Sequence, residues 1–189
     1  MSESKLQRSP NAIAGLKADH QNVKTLFDDF QNTDDRAMKT TIVNEALEEL
    51  SLHATLEEEL FYPAVRQSIE DEHGVMNEAD EEHHVAKILI AELEEMDGSE
   101  SHYEAKFTVL AESVRHHIKE EEETMLPKAQ KTEIDFDALG EEMLERKEEL
   151  LSEGVPVTDE ADMVADSEGN GDSPAKASKH TATTKKKAS

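Results

Sequence analysis

A histidine, a glutamate and a proline recur with the same spacing in two distant parts of the chain. The two copies are His53, Glu57, Pro63 and His117, Glu121, Pro127. In each copy the glutamate stands four residues after the histidine and the proline ten residues after it. Residues i and i+4 share a face of an α-helix, so each copy directs an imidazole and a carboxylate to the same place. This pattern predicts two helices that together build a metal site.

The repeat extends beyond these two segments. A gapless alignment pairs His20 with His83 and Lys24 with Lys87, each 63 residues apart, and the second His/Glu pair lies 64 residues after the first. We interpret the chain as two related helical hairpins, each with one lone histidine and one His/Glu pair. Two units of this size predict a single bundle.

Apolar residues spaced by threes and fours predict four long helices, and each helix carries a candidate ligand in its inward stripe. The first helix is predicted to begin at Pro10, with Ser9 as its N-cap. The second is predicted to begin at about Arg36, the third after Gly74 and the fourth after Ser99, and Gly98 is predicted to end the third. Because a proline interrupts the helical hydrogen bonds, Pro63 predicts a kink or a local break near Glu59.

A fifth, shorter helix is predicted at about residues 137–152, with apolar residues that pack on the bundle end or on another chain. Few apolar residues follow it, and the last 14 residues hold five Lys and no acid. The predicted organisation is a flexible N-terminus at 1–9, a metal-binding bundle at 10–132, a short helix at 133–154 and a disordered Lys-rich tail at 155–189.

Composition excludes several classes of site. The chain has no cysteine, so disulfides, thiolate-bound zinc and iron–sulfur clusters are excluded and a reducing compartment is expected. A formal net charge of -25 argues against nucleic-acid binding by the folded part. The sequence has no apolar run of about 18 residues and no apolar segment at its start, so we expect a cytoplasmic protein without a membrane span.

A lone histidine inside an apolar stripe is more often a hydrogen-bonded core residue than a metal ligand. Four of them in successive stripes, two with a glutamate on the same face, favour a metal. Glu57 and Glu121 lie in phase with the core, where the stripes supply no Lys or Arg to offset their charge. Imidazole with carboxylate and no thiolate suits iron, manganese or zinc, and two carboxylates that can bridge suit a dinuclear centre. Iron is our first choice, with zinc or manganese as the alternatives.

The chain resembles the hemerythrin-like (HHE cation-binding) proteins over about residues 10 to 130. The matching positions are His20, His53-Glu57-Pro63, His83 and His117-Glu121-Pro127. The resemblance implies an all-α fold, an up-down-up-down four-helix bundle that holds two iron ions with an oxo or hydroxo bridge. It further implies that the two glutamates bridge the ions and that the four histidines are terminal ligands.

The chain departs from oxygen-carrying hemerythrins, which have a His-x-x-x-His pair on helix three and His-x-x-x-x-Asp on helix four. The positions four residues either side of His83 are Ala79 and Lys87. A fifth histidine would have to come from elsewhere, and His73 is the nearest candidate. His84 and His116 adjoin candidate ligands but point about 100° away around the helix, so we interpret them as outer or surface groups.

The resemblance implies a protein that binds or senses O2, peroxide or nitric oxide, or handles iron in a stress response. One alternative is a di-iron enzyme that consumes peroxide or nitric oxide at the same centre. Another is a helical adaptor with a structural metal, which would bind a protein partner through the fifth helix or the tail. From the sequence we expect a small diatomic molecule or peroxide as the ligand, and a protein partner only for the adaptor.

Overall fold

The computed structural model describes residues 11–69 and 74–156, and over these residues the chain is helical and has no β-strand. The helices, in chain order, are α1 (Ala12–Asn32), α2 (Arg36–Leu56, continuing through Glu57–Phe61 to Tyr62–Arg66), α3 (Val75–Glu94), α4 (Tyr103–Glu120, continuing through Glu121–Met125 to Leu126–Ala129) and α5 (Phe136–Glu153). The predicted N-terminal segment 1–9 and all but the first two residues of the predicted tail lie outside the described residues.

The first four helices form the predicted four-helix bundle. α1 packs against α2 and α3 against α4, and the bundle closes through contacts of α2 with α3 and of α1 with α4. Short connections between sequential helices make neighbours antiparallel, which gives the up-down-up-down arrangement. The fold class predicted from the sequence is therefore confirmed.

Side-chain caps fix where helices begin. The side chain of Asn11 accepts a hydrogen bond from the backbone N–H of Ala14, and α1 therefore starts at Ala12. The helix thus begins two residues later than predicted, and the predicted cap Ser9 and first residue Pro10 lie outside the described residues. Asn11 also donates to Asp137 at the start of α5, which holds this cap in place.

The third helix also ends earlier than predicted. α3 stops at Glu94, and Gly98 lies in the following turn without the positive φ of a glycine cap. A Cβ atom at Gly98 would lie 2.4 Å from the hydroxyl oxygen of Thr40 at the start of α2. Glycine is therefore required here for close approach of the turn to α2, and not to end the helix.

The interruption predicted before Pro63 is a π-helical turn, and the structure shows a second one before Pro127. The backbone N–H of Tyr62 donates to the carbonyl of Glu57, and that of Leu126 donates to the carbonyl of Glu121, so each bond spans five residues. Proline cannot donate to the carbonyl four residues earlier and its ring crowds that carbonyl, so the helix widens just before it. The break predicted near Glu59 is confirmed, and the helix continues beyond it to Arg66.

Two apolar clusters fill the bundle, one towards each end. One joins the start of α1 and the end of α2 to α5 and includes Leu16, Phe61 and Met125. The other includes Phe27, Phe107 and Leu110 near the opposite end. The candidate ligands lie between them, because His20 falls between Leu16 and Val23 in the inward stripe of α1.

α5 packs along α1 and α2 and completes the first apolar cluster. Leu150 is 1% exposed, whereas the adjacent Leu151 is 49% exposed. Arg146 also donates to the carboxylate of Glu59 on α2 over 2.7 and 3.1 Å. The predicted fifth helix thus packs on the bundle itself. No helix in the described part of the chain is long and apolar enough to cross a bilayer.

Candidate metal centre

Four imidazoles, one from each bundle helix, meet in the layer between the two apolar clusters. They belong to His20, His53, His83 and His117, whose exposed fractions are 1%, 7%, 5% and 6%. Their Nε2 atoms pair across the layer, 3.2 Å apart between His20 and His53 and 3.1 Å apart between His83 and His117. All four positions were selected from the sequence, and the fold brings them together.

Glu57 and Glu121 lie at the centre of this layer and are 0% and 1% exposed. Glu57 Oε2 lies 3.2 Å from His53 Nε2 on its own helix and 3.3 Å from His83 Nε2 on α3. Glu121 Oε2 lies 3.7 Å from His117 Nε2 and 3.2 Å from His20 Nε2 on α1. Each carboxylate therefore contacts one imidazole from each hairpin, which is the position that a bridging ligand needs.

The donor atoms form two groups that could each hold a metal ion. One group contains His20, His53, Glu57 and Glu121, and the other contains Glu57, His83 and His117, with the atoms of each group within 4.8 Å of one another. Donors bound at about 2.0–2.2 Å to one ion stand about 3 Å apart when they are adjacent ligands. The nitrogen–oxygen and nitrogen–nitrogen distances of 3.1 to 3.7 Å match this spacing.

Unpaired buried atoms support the same interpretation. Glu57 Oε1 and Glu121 Oε2 are buried acceptors without a hydrogen-bond partner, even though the latter lies close to His20. A buried carboxylate oxygen without a donor costs several kcal/mol unless a cation compensates it. The donor set and its unpaired atoms therefore fit a pair of metal ions.

The other ring nitrogen, Nδ1, of each imidazole faces a carboxylate from a neighbouring helix. The pairs are His20 with Glu122 at 3.0 Å, His53 with Asp19 at 3.7 Å, His83 with Glu58 at 3.0 Å and His117 with Glu82 at 2.8 Å. We call these four acids the outer carboxylates. A carboxylate at Nδ1 orients the ring and leaves Nε2 available to a metal.

Lysines neutralise three of the outer carboxylates. The pairs are Lys24 with Glu122 at 3.0 Å, Lys87 with Glu58 at 2.5 Å and Lys147 with Asp19 at 2.9 Å. Burial alone would raise the pKa of an outer carboxylate, but the facing imidazoles lower the pKa of all four, and the lysines lower it further for Asp19, Glu58 and Glu122. The outer carboxylates are therefore ionised at neutral pH. Glu122, Glu58 and Glu82 accept hydrogen bonds from the facing Nδ1 atoms, whereas His53 Nδ1 is buried without a hydrogen-bond partner.

Tyr62 is a further polar residue at the centre, and it was not predicted from the sequence. Its hydroxyl oxygen lies 3.0 Å from Glu121 Oε1 and 3.4 Å from Glu57 Oε2. It also lies 3.3 and 3.5 Å from the Nε2 atoms of His83 and His117. In a regular α-helix, Tyr62 would lie about 140° around the axis from Glu57. The π-helical turn places residues five apart on one face instead.

Tyr62 makes the two halves of the centre different. Aligning Glu57 with Glu121 places Leu126 at the position equivalent to Tyr62, so the phenol lies only at the His83/His117 end. Burial and the two carboxylates together raise the pKa of Tyr62 well above its usual range. The phenol is therefore protonated in the metal-free site and donates to the carboxylates.

Protons occupy part of the metal-free centre. Burial alone would lower the pKa of His53, but the carboxylates of Glu57 and Asp19 raise it to about 10. Burial has the same effect on His83, and Glu57 with Glu58 raises its pKa to about 9. In turn His53 and His83 hold the pKa of Glu57 well below its usual range despite its burial. Two imidazolium ions thus supply the positive charge that the apolar stripes lack.

The remaining candidate histidines lie away from the central layer or outside the described residues. His73 belongs to the latter group. His84 is half-buried, and none of the groups of possible metal ligands among the described residues includes it. His116 is 61% exposed and lies near Glu82 and Glu120 on the bundle surface. Tyr62, and not a fifth histidine, is the further donor that the described residues bring to the centre.

Comparisons with known proteins found related sequences and a related structure. The model of the hemerythrin HHE cation-binding domain family matches residues 11–129. A protein of Nostoc sp. named DNA nickase is 27% identical over 110 residues, which cover 58% of this chain and 31% of that protein. An uncharacterised hemerythrin-like protein of Schizosaccharomyces pombe is also 27% identical over 110 residues, covering 58% of this chain and 54% of that protein.

A solved structure supports the fold. The crystal structure of a hemerythrin HHE cation-binding domain-containing protein from Mycobacterium kansasii matches with a TM-score of 0.62 and 23% identity. The match covers 86% of this chain and 94% of that one. The matched part spans about a third and about half of the length of the two curated relatives.

Proposed function

Because the chain belongs to the hemerythrin HHE cation-binding family, we propose that it is a non-haem di-iron protein that binds or senses O2, peroxide or nitric oxide, or handles iron in a stress response. The observation that carries this proposal is the position of Glu57 and Glu121. Each is buried between imidazoles of both hairpins and has one oxygen without a hydrogen-bond partner.

The residues divide into two sets of ligands around the shared carboxylates. His20 and His53 would hold one ion, and His83 and His117, with the Tyr62 hydroxyl beside them, would hold the other. Iron fits this set because imidazole and carboxylate are its usual ligands in non-haem sites, and the chain has no thiolate that would favour zinc. A bound iron pair would supply the redox electrons and an open coordination position.

A small cavity beside the histidines supports a small ligand. Its volume is about 30 Å³, and its apolar walls include Val23, Leu50, Ile90, Val114 and Ile118. A cavity of this volume has room for one or a few molecules of the size of water. It therefore fits a diatomic molecule or peroxide. Its apolar walls limit the access of water to the centre.

A second candidate is an enzyme that consumes peroxide or nitric oxide at the same centre. The Tyr62 hydroxyl favours it, because this buried donor lies within 3.5 Å of both carboxylates and two imidazoles and so could deliver a proton. Steady turnover of peroxide without loss of activity would support the enzyme, whereas a single stoichiometric reaction would support binding or sensing.

A reaction on DNA, as the name of the Nostoc relative indicates for that protein, is not proposed for this chain. Its net charge of -25 opposes contact with nucleic acid.

Elemental analysis of protein purified without a chelating tag tests the proposal. We expect two irons per chain and a visible or near-ultraviolet absorption band that changes when peroxide is added. The His53→Ala variant should lose iron, while the exposed His102→Ala variant should keep it. Zinc in place of iron, or an iron content that His53→Ala leaves unchanged, would overturn the proposal.

A further inference from the structure

Three of the four outer carboxylates form an ion pair with a lysine. Among the ion pairs of the described residues, the fourth, Glu82, has histidines as partners instead. In the described part of the chain, the ion-pair partners of Glu82 are His116 and His117. Its Oε2 atom lies 2.8 Å from His117 Nδ1, and its Oε1 atom lies 3.7 Å from His116 Nε2. One oxygen therefore faces the centre and the other faces the bundle surface.

Glu120 completes a group on that surface. His116 and Glu120 stand four residues apart on α4 and share a face, with His116 Nε2 3.6 Å from Glu120 Oε1. Donor atoms of Glu82, His116 and Glu120 all lie within 4.8 Å of one another. Two donors bound at about 2.1 Å to a tetrahedral ion stand about 3.4 Å apart, so distances of 3.6 and 3.7 Å need little adjustment.

The internal repeat shows that this group is specific to the second hairpin. The repeat aligns Glu82 with Asp19, and it aligns His116 and Glu120 with Leu52 and Leu56. Both leucines are 2% exposed and belong to the apolar cluster that α5 completes. At this place α5 covers the first hairpin, whereas the second hairpin has an imidazole and two carboxylates on the bundle surface.

In the first hairpin, α5 also provides a lysine that pairs with the outer carboxylate Asp19. Lys147 of α5 lies 2.9 Å from Asp19 and 3.9 Å from Glu49. We propose that a divalent transition-metal ion bound by Glu82, His116 and Glu120 occupies the equivalent place in the second hairpin. One imidazole with two carboxylates selects an ion such as Zn²⁺ or Fe²⁺, because calcium prefers ligands that are all oxygen.

This surface site is separate from the proposed di-iron centre but is linked to it through one carboxylate. Glu82 would bind the surface ion through Oε1 while Oε2 keeps its contact with His117. The surface ion withdraws negative charge from the group that orients His117. Any resulting coupling is reciprocal, so occupancy of either site changes the affinity of the other by the same factor.

Zinc titration of the full chain tests the site. The protein is saturated with iron, freed of excess metal by gel filtration and dialysed against micromolar Zn²⁺, and total iron plus zinc per chain is counted. We expect wild type to hold one more metal ion per chain than His116→Gln, and Glu120→Gln to weaken zinc binding by tenfold or more. His102→Gln, another exposed histidine variant, should match wild type.

The difference between variants keeps this test independent of the proposed function. If the centre holds no iron, the total counts fall, but the wild-type chain should still exceed His116→Gln by one ion. Equal counts in wild type and His116→Gln, with both variants folded by circular dichroism, would overturn the surface site and leave the di-iron proposal untouched.

Discussion

His20 on α1 and Glu122 on α4 are 102 residues apart in sequence, yet His20 Nδ1 lies 3.0 Å from Glu122 Oε1. The equivalent pair in the repeat, His83 and Glu58, has the same distance of 3.0 Å. In both pairs the histidine comes from one hairpin and the carboxylate from the other. Two of the four outer carboxylates, Glu122 and Glu58, therefore tie the two hairpins together as well as orienting the rings.

Replacing either of these outer carboxylates should weaken metal binding by similar amounts. Glu58→Gln and Glu122→Gln should each lower the affinity about 10- to 100-fold, because a neutral amide orients and polarises the imidazole less well than a carboxylate does. Competition with a chelator of known affinity measures the change. Glu123→Gln, an exposed neighbour on α4, is the matched control. If this control lost as much affinity, general loss of negative charge would be the cause.

Removing the Tyr62 hydroxyl should change the centre at one end. Tyr62→Phe should alter the visible absorption of the metal-loaded protein, because the phenol lies beside His83 and His117 and contacts both buried carboxylates. The metal-free form should lose about 1–3 kcal/mol of unfolding free energy, since Glu121 then loses a buried donor. Absorption spectra and urea denaturation measure the two effects.

The chain offers one matched control for this change. Tyr103 is the other tyrosine, is 2% exposed and lies in the second apolar cluster away from the centre. Tyr103→Phe should leave the spectrum of the loaded protein unchanged. Identical spectra for wild type and Tyr62→Phe would show that the hydroxyl does not contact the metal pair.

Metal binding should release about two protons per chain near pH 7.5, because His53 and His83, with pKa values of about 10 and about 9, must become neutral before they bind a metal. The logarithm of apparent affinity should therefore rise by about two for each pH unit between 6.5 and 8. Calorimetry in buffers with different ionisation enthalpies measures the protons directly. Release of no protons would contradict the charge state of the metal-free centre.

The same groups give the metal-free protein a defined pH dependence. The folded-state pKa values of His53 and His83 lie above their ordinary 6.5. Their contribution to stability is therefore complete below pH 6.5 and is lost as pH rises through about 9 and 10. The urea midpoint of the metal-free protein should fall between pH 7 and pH 10. The loaded protein, whose histidines are already neutral, should change less.

Truncating α5 side chains should separate its buried face from its exposed face. Leu150→Ala should cost about 2–5 kcal/mol of unfolding free energy, because it leaves a cavity in the cluster shared with α1 and α2. Leu151→Ala should stay within about 0.5 kcal/mol, since that side chain is 49% exposed. Chemical denaturation of both variants provides the comparison. Equal small effects would mean that α5 does not belong to the cooperative core.

The six central positions, and the helices that carry them, could be predicted from local patterns in the chain. A donor at i and i+4 in an inward stripe is a local property, because it depends only on helical periodicity. The repeat then predicted that both halves use it, as with His53 and Glu57 in the first. It also predicted the break before Pro63, since a proline acts on the carbonyl four residues earlier.

The groups that surround those positions depend on how the helices pack. Tyr62 reaches the centre because a π-helical turn brings it to the same face as Glu57, whereas a regular period of 3.6 residues would place it on a different face. Glu122 meets His20 because two hairpins pack across the bundle, and Lys147 meets Asp19 because α5 lies on the first hairpin. Such contacts join residues that are distant in sequence, so they depend on how the helices pack and no local pattern encodes them.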